Sequence, residues 1–144
     1  VYAIIGQDPE HGDGVGRLTC IDASTGKADW TYDDIGRSIS TLSVSDGLVY
    51  AAEYDGDIHC LDAATGKEHW KHETLSRVWG STLVADGKVF LPTEDGDLHV
   101  LKAGKDYKVL ATVNFGAPIY SSPIVANDVL YIASMTHLYA IGKK

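Results

Sequence analysis

Hydrophobic positions in this chain fall in short strand-like runs, cut by Asp-Gly or Asn-Asp turns, and the whole pattern recurs. The phrase from Ile58 through Asp62, Gly66 and Trp70 copies the one from Leu18 through Asp22, Gly26 and Trp30, forty residues earlier. Leu98-His99-Val100-Leu101 and Leu138-Tyr139-Ala140-Ile141 repeat its opening at the same spacing of 40. Between Asp57 and Asp62 the alternation puts Ile58, Cys60 and Asp62 on one face and His59 and Leu61 on the other, as in a strand. The second copy predicts strands over 38–44, 48–53, 57–61 and 67–73, and the third over 79–84, 88–92, 97–101 and 108–115. The fourth copy predicts 119–125, 129–133 and 137–141 and stops.

Four antiparallel strands per ~40 residues with tight turns is the pattern of a propeller blade. The expectation is an all-β fold, a β-propeller of four-stranded antiparallel blades, with about three and a half to four blades present. Blade a spans 1–34, blade b 35–75, blade c 76–116 and blade d 117–144. Blade a lacks its first strand and carries an eight-residue insertion within 6–16; blade d lacks its last strand. The tally is 14 strands, short of a tidy four-bladed ring, so the chain reads as the C-terminal half of a seven- or eight-bladed ring. The open blade edges then call for the remainder of the propeller or another copy of the chain. The chain opens inside a strand at Val1 without Met, which makes it a piece of something longer and leaves any signal peptide out of sight.

Composition narrows the partners. A net charge of -8 excludes a general affinity for nucleic acid, whose phosphates select Lys and Arg, and no apolar run is long enough for a transmembrane segment. Cys20 and Cys60 occupy the same position of adjacent copies, too far apart for a disulfide, and read as buried free thiols.

Each residue of the repeated phrase has a structural use. Asp22 and Asp62 accept from backbone N–H groups just downstream, Gly26 and Gly66 supply positive φ, and Trp30 and Trp70 wedge against the next blade. Leu110 stands at the corresponding spacing in the third copy. The Asp-x-x-Thr-Gly-x-x-x-Trp phrase resembles the tryptophan-docking motif of pyrroloquinoline-quinone-type propellers, with Cys20 and Cys60 where that motif usually has Ala. The superfamily holds quinone- and Ca²⁺-dependent alcohol dehydrogenases, an outer-membrane barrel-assembly lipoprotein, and exported bacterial propellers that bind no quinone. The resemblance implies a non-catalytic scaffold or binding module, periplasmic or otherwise exported, with a protein, peptide or small-ligand partner and no cofactor. The alternative it leaves is a fragment of a quinone-dependent dehydrogenase acting on alcohols or sugars, with pyrroloquinoline quinone and calcium. Against that alternative, the chain has no Cys-Cys pair.

Two places could carry binding. Arg37 and Arg77 lead into first strands, which line the channel of a propeller, and Trp79 and Tyr120 stand beside them. Two guanidinium groups and two aromatics make an anion- or peptide-binding rim; the competing expectation pairs them with Glu53, Asp55, Glu94 and Asp95. The insertion offers Asp8, Glu10, His11 and Asp13 as metal ligands, without the spacing of a dedicated calcium loop. The histidines read as spread over the repeats rather than clustered.

Overall fold

The structure is a computed structural model that describes residues 1–8, 10–12 and 14–142. Its strands form four antiparallel sheets, each a blade. Blade a holds β1 (Tyr2–Gly6), β2 (Gly16–Ile21) and β3 (Ala28–Tyr32). Blade b holds β4 (Ser43–Ser45), β5 (Leu48–Ala52), β6 (Asp57–Asp62) and β7 (Glu68–Glu73). Blade c holds β8 (Leu83–Ala85), β9 (Lys88–Pro92), β10 (Asp97–Lys102) and β11 (Val109–Asn114). Blade d holds β12 (Ile124–Ala126), β13 (Val129–Ala133) and β14 (Leu138–Gly142). Strands pair in chain order within every sheet, so each blade is a meander, with a long connection between β1 and β2 in blade a. The β4–β5 and β8–β9 turns place Asp46, Gly47, Asp86 and Gly87 at positive φ, the backbone that a two-residue hairpin requires.

The first strands are shorter than the hydrophobic runs suggest. Residues 38–42, 79–82 and 119–123 leave the ladder and bond to the neighbouring blade. Ser40 Oγ donates to the Gly80 carbonyl at 2.9 Å, Thr41 N to Ser81 Oγ at 2.9 Å, and Ser81 N to Ser122 Oγ at 2.9 Å. These small residues tie blade to blade instead of lengthening a sheet.

The spacing of 40 also misplaces one residue. Cys20 pairs with Trp30 and Cys60 with Trp70, after which the register slips past Asp29 and His69. In blade c the slip passes Leu110, and Val100 pairs with Ala111. Ala111, not Leu110, is therefore the counterpart of Trp70; Leu110 sits at the bulge, where a side chain leaves the ladder.

The core lies between blades. Alternate residues of β5 serve both sides: Leu48, Tyr50 and Ala52 pack toward blade c, Val49 and Ala51 toward blade a. That is why all five are buried and the run reads as continuously apolar. A third cluster of Phe90, Leu98, Ile119 and Ile132 joins blades c and d. Among the described residues no such cluster joins d to a, so the four blades form an open arc. Leu138 is 71% exposed where its counterpart Ile58 in blade b is 0% exposed.

Candidate functional site at the channel mouth

Arg37 and Arg77 are placed by the same backbone device: Tyr54 N donates to the Arg37 carbonyl and Glu94 N to the Arg77 carbonyl, both at 2.8 Å. Their side chains converge on one ring. The Arg37 guanidinium carbon stands 4.2 Å from the Tyr54 centroid and that of Arg77 5.5 Å, both within cation–π range. Tyr54 meets Trp79 edge-to-face at 5.0 Å, and Trp79 meets Tyr120 at 5.6 Å. Three of the four residues singled out in the sequence thus meet a fifth, Tyr54, which the sequence reading missed, and Tyr120 joins them through Trp79. Its signal was available: Tyr54 stands where the other copies carry Glu94 and Met135, a place where the repeats disagree.

Neither arginine takes the ion pairs proposed for it. Among the described residues no carboxylate oxygen lies within 4.0 Å of Arg37 or Arg77. Glu53 is turned inward to His59 Nε2 at 2.7 Å, and Glu94 accepts from Trp79 Nε1 at 3.2 Å. Those two carboxylates are already occupied. Trp79 and Tyr120 keep 40% and 42% of their surface exposed.

The insertion rises from the same end. Gly16 N donates to the Ile35 carbonyl at 3.0 Å and Arg37 N to the Gly14 carbonyl at 2.6 Å. A Cβ on Gly6 would stand 2.5 Å from Arg37 Cα, so only glycine lets the hairpin approach so closely. Within the loop, Asp8 Oδ1 accepts from Glu10 N at 2.8 Å and lies 3.9 Å from His11 Nδ1. Asp8, Glu10 and His11 are exposed. Asp13 lies outside the described residues.

A grouping with ligand atoms close enough for a metal occurs elsewhere, at Glu53, Asp57 and His59. Its atoms are engaged: both His59 nitrogens meet carboxylates, Glu53 and Glu68, and Asp57 holds Lys71 Nζ at 2.6 Å. Tyr32 completes this buried set by donating to Glu68. Burial lowers the His59 pKa, yet the hydrogen bonds to Glu53 and Glu68 outweigh it and the net shift is upward.

The repeated phrase builds turns and interblade contacts. Asp62 Oδ1 accepts from Ala64 N at 3.1 Å and Thr65 N at 3.0 Å; Asp22 Oδ1 accepts from Ser24 N at 2.7 Å. Gly26 and Gly66 have φ of 70° and 72°. Trp30 Nε1 donates to the Ala63 carbonyl at 3.1 Å and Trp70 Nε1 to the Gly104 carbonyl at 2.8 Å, each in the next blade. Cys60 is buried with its Sγ 3.7 Å from the Gly104 carbonyl, and burial raises its thiol pKa to about 12, that of an unreactive thiol.

The histidines are not merely spread. His72 on β7 meets His99 on β10 across the seam between blades b and c, Nε2 to Nδ1 at 3.0 Å.

Four interlocked antiparallel blades with this phrase define a pyrroloquinoline-quinone-like β-propeller. The family described as outer membrane protein assembly factor BamB matches residues 14–109, and the chain belongs to it. No curated protein matches the chain. Among solved structures, BamB from Moraxella catarrhalis is similar at 25% identity and a TM-score of 0.76, over 93% of this chain and 44% of that one. This chain therefore spans less than half of that relative's length. The computationally designed Ika4 protein shares the fold at 16% identity and a TM-score of 0.73, over 92% of this chain and 82% of that one. A europium-containing methanol dehydrogenase shares it at 18% identity and a TM-score of 0.60, over 81% of this chain and 23% of that one. Among the described residues no helix is long and apolar enough to cross a membrane.

Proposed function

We propose that this chain is the working part of a non-catalytic propeller that binds an extended protein segment at the channel mouth. The observation that carries the reading is the pair of arginines, which meet no carboxylate among the described residues, beside the exposed Trp79 and Tyr120. In a protein of net charge -8 such a site selects against most of the molecule's own surface and favours a segment with an acidic group next to an aromatic or aliphatic one. Membership of the BamB family supports a protein-binding role in an exported, bacterial setting, and the phrase around Trp30 and Trp70 then serves as tryptophan docking between blades. The open faces of blades a and d take the remainder of the ring or a second copy of the chain.

A quinone-dependent dehydrogenase draws no support from these residues. That chemistry asks for adjacent cysteines and free acidic ligands. Cys20 and Cys60 are in separate blades, and the grouping at Glu53, Asp57 and His59 is taken up by Glu68 and Lys71.

The test measures binding of synthetic peptides, acidic-aromatic against neutral-aromatic, by fluorescence anisotropy. Removing both guanidinium groups as R37A with R77A is expected to weaken the acidic peptides about tenfold or more, since a lost charge-assisted contact is worth about 1.5–3 kcal/mol. Equal binding by the wild type and the double variant refutes the rim.

A further inference from the structure

Two repeat-equivalent seams carry opposite buried chemistry. Tyr32 meets His59 across the seam between blades a and b, and His72 meets His99 across the seam between b and c; each pair is 27 residues apart. His59 is flanked by two carboxylates, Glu53 and Glu68, so its added proton has acceptors on both sides. His72 has none. Its Nδ1 bonds the Tyr107 hydroxyl at 2.8 Å and its Nε2 bonds His99 Nδ1 at 3.0 Å. In a bond between two imidazoles one nitrogen must offer a lone pair, so one of these facing nitrogens must be unprotonated.

The surrounding charges do not relieve a second proton. On its own blade, His72 is approached by Asp57 and Glu73, and His99 by Asp97 on its own strand. From the facing blade each meets the other imidazole, and His72 also meets Tyr107. Asp57 is held by Lys71 and Asp97 accepts from Asn114; among the described residues no carboxylate reaches hydrogen-bond distance of either ring. Both side chains are buried at 9% exposure.

We propose that the seam between blades b and c opens on mild acidification, because the buried His72–His99 contact has no place for two protons, while the seam between a and b stays shut. Burial holds both imidazoles below the ordinary histidine value, and His72 further depresses His99. The sign follows: an unfolded or parted seam binds protons that the closed one refuses, so closure weakens as pH falls below about 6.5. The mouth feels this directly. Tyr54 belongs to blade b and Trp79 to the lead-in of blade c, so their contact spans the same seam. Acid opening would then regulate the binding rim, a last step that rests on the reading under Proposed function.

The experiment uses the intact protein and reads the seam without any ligand. Histidine side-chain titration by NMR is expected to place His72 and His99 below the ordinary value of about 6.5. Amide exchange, corrected for its intrinsic pH dependence, is expected to rise in Glu68–Glu73 and Asp97–Lys102 between about pH 7.5 and 5.5, by about tenfold per unit of depression, while Gly16–Ile21 stays level. The double variant H72Q with H99Q is expected to lose this response. Ordinary titration of both rings in the wild type, a response that persists in the double variant, or equal opening of every strand overturns the proposal. Should that variant not fold, the wild-type titration and exchange decide alone. Peptide anisotropy at both pH values is read separately: a seam that opens with unchanged binding refutes the regulatory step and leaves the acid-labile seam standing.

Discussion

At the scale of single residues, the two copies of one turn differ in what they touch. Gly26 and Gly66 share a φ near +70°, but a Cβ on Gly26 would meet nothing within 4 Å, whereas one on Gly66 would stand 2.5 Å from Trp30 Cε3. Gly26→Ala is expected to cost about 1 kcal/mol through backbone strain alone. Gly66→Ala should cost a further 1–3 kcal/mol or so, because the Trp30 ring must shift. Urea unfolding of the two variants separates the terms, and equal losses would deny the contact. His59 offers a second residue-scale check. Its pKa is raised in the folded state, so the stability it contributes is full below about 6.5 and is lost as pH rises through the folded value. Glu53→Gln removes one of the carboxylates that raise it and should flatten this alkaline loss in thermal melts; an unchanged slope would show that Glu53 does not set it. The rim was half legible at this scale. Arg37, Arg77, Trp79 and Tyr120 could be found because copies repeat or differ there; Tyr54 differs between copies too, but that it meets both arginines follows only from the turn after β5 folding back on Arg37.

At the scale of elements, the period of 40 made strand number and blade order readable, because each copy carries its own turns. What it could not show is a turn of different length: all three outer ladders slip at the same place, but the β10–β11 turn is one residue longer, with Lys102 N bonding the Lys108 carbonyl where Asp62 N bonds that of Lys67. The outer strand of blade c shows the difference: Leu110 lies at the bulge and is 43% exposed, while Trp70 is 6% exposed against blade c. Leu110→Ala should therefore change stability by no more than about 0.5 kcal/mol, against about 3–5 kcal/mol for Trp70→Ala. A large loss at Leu110 would restore the simple 40-residue alignment. The interblade polar pairs escaped notice for a related reason. Tyr32 with His59 and His72 with His99 are joined by an offset of 27, which links an outer strand to the third strand of the next blade. That offset, not local clustering, is their mark in the sequence.

At the scale of the molecule, every seam buries the same two surfaces, one from each neighbour. The side of blade b that faces c buries Tyr50 and Ile58 at 1% and 0% exposure, and blade d presents the same side with Leu138 uncovered. The side of blade b that faces a buries Val49 and Leu61 at 0%, and blade a presents that side with Ile5 65% exposed. The two uncovered faces are thus complementary by repeat, not by chance, and a heterologous contact between them closes a ring only after the right number of blades. The 144-residue chain on its own is expected to associate head to tail. Light scattering should show mass rising with concentration, and Leu138→Asp should suppress it by placing a charge where Ile58 is dry. If the wild-type chain scatters as a monomer at all concentrations, these faces have no affinity for one another and the arc is stable as it stands.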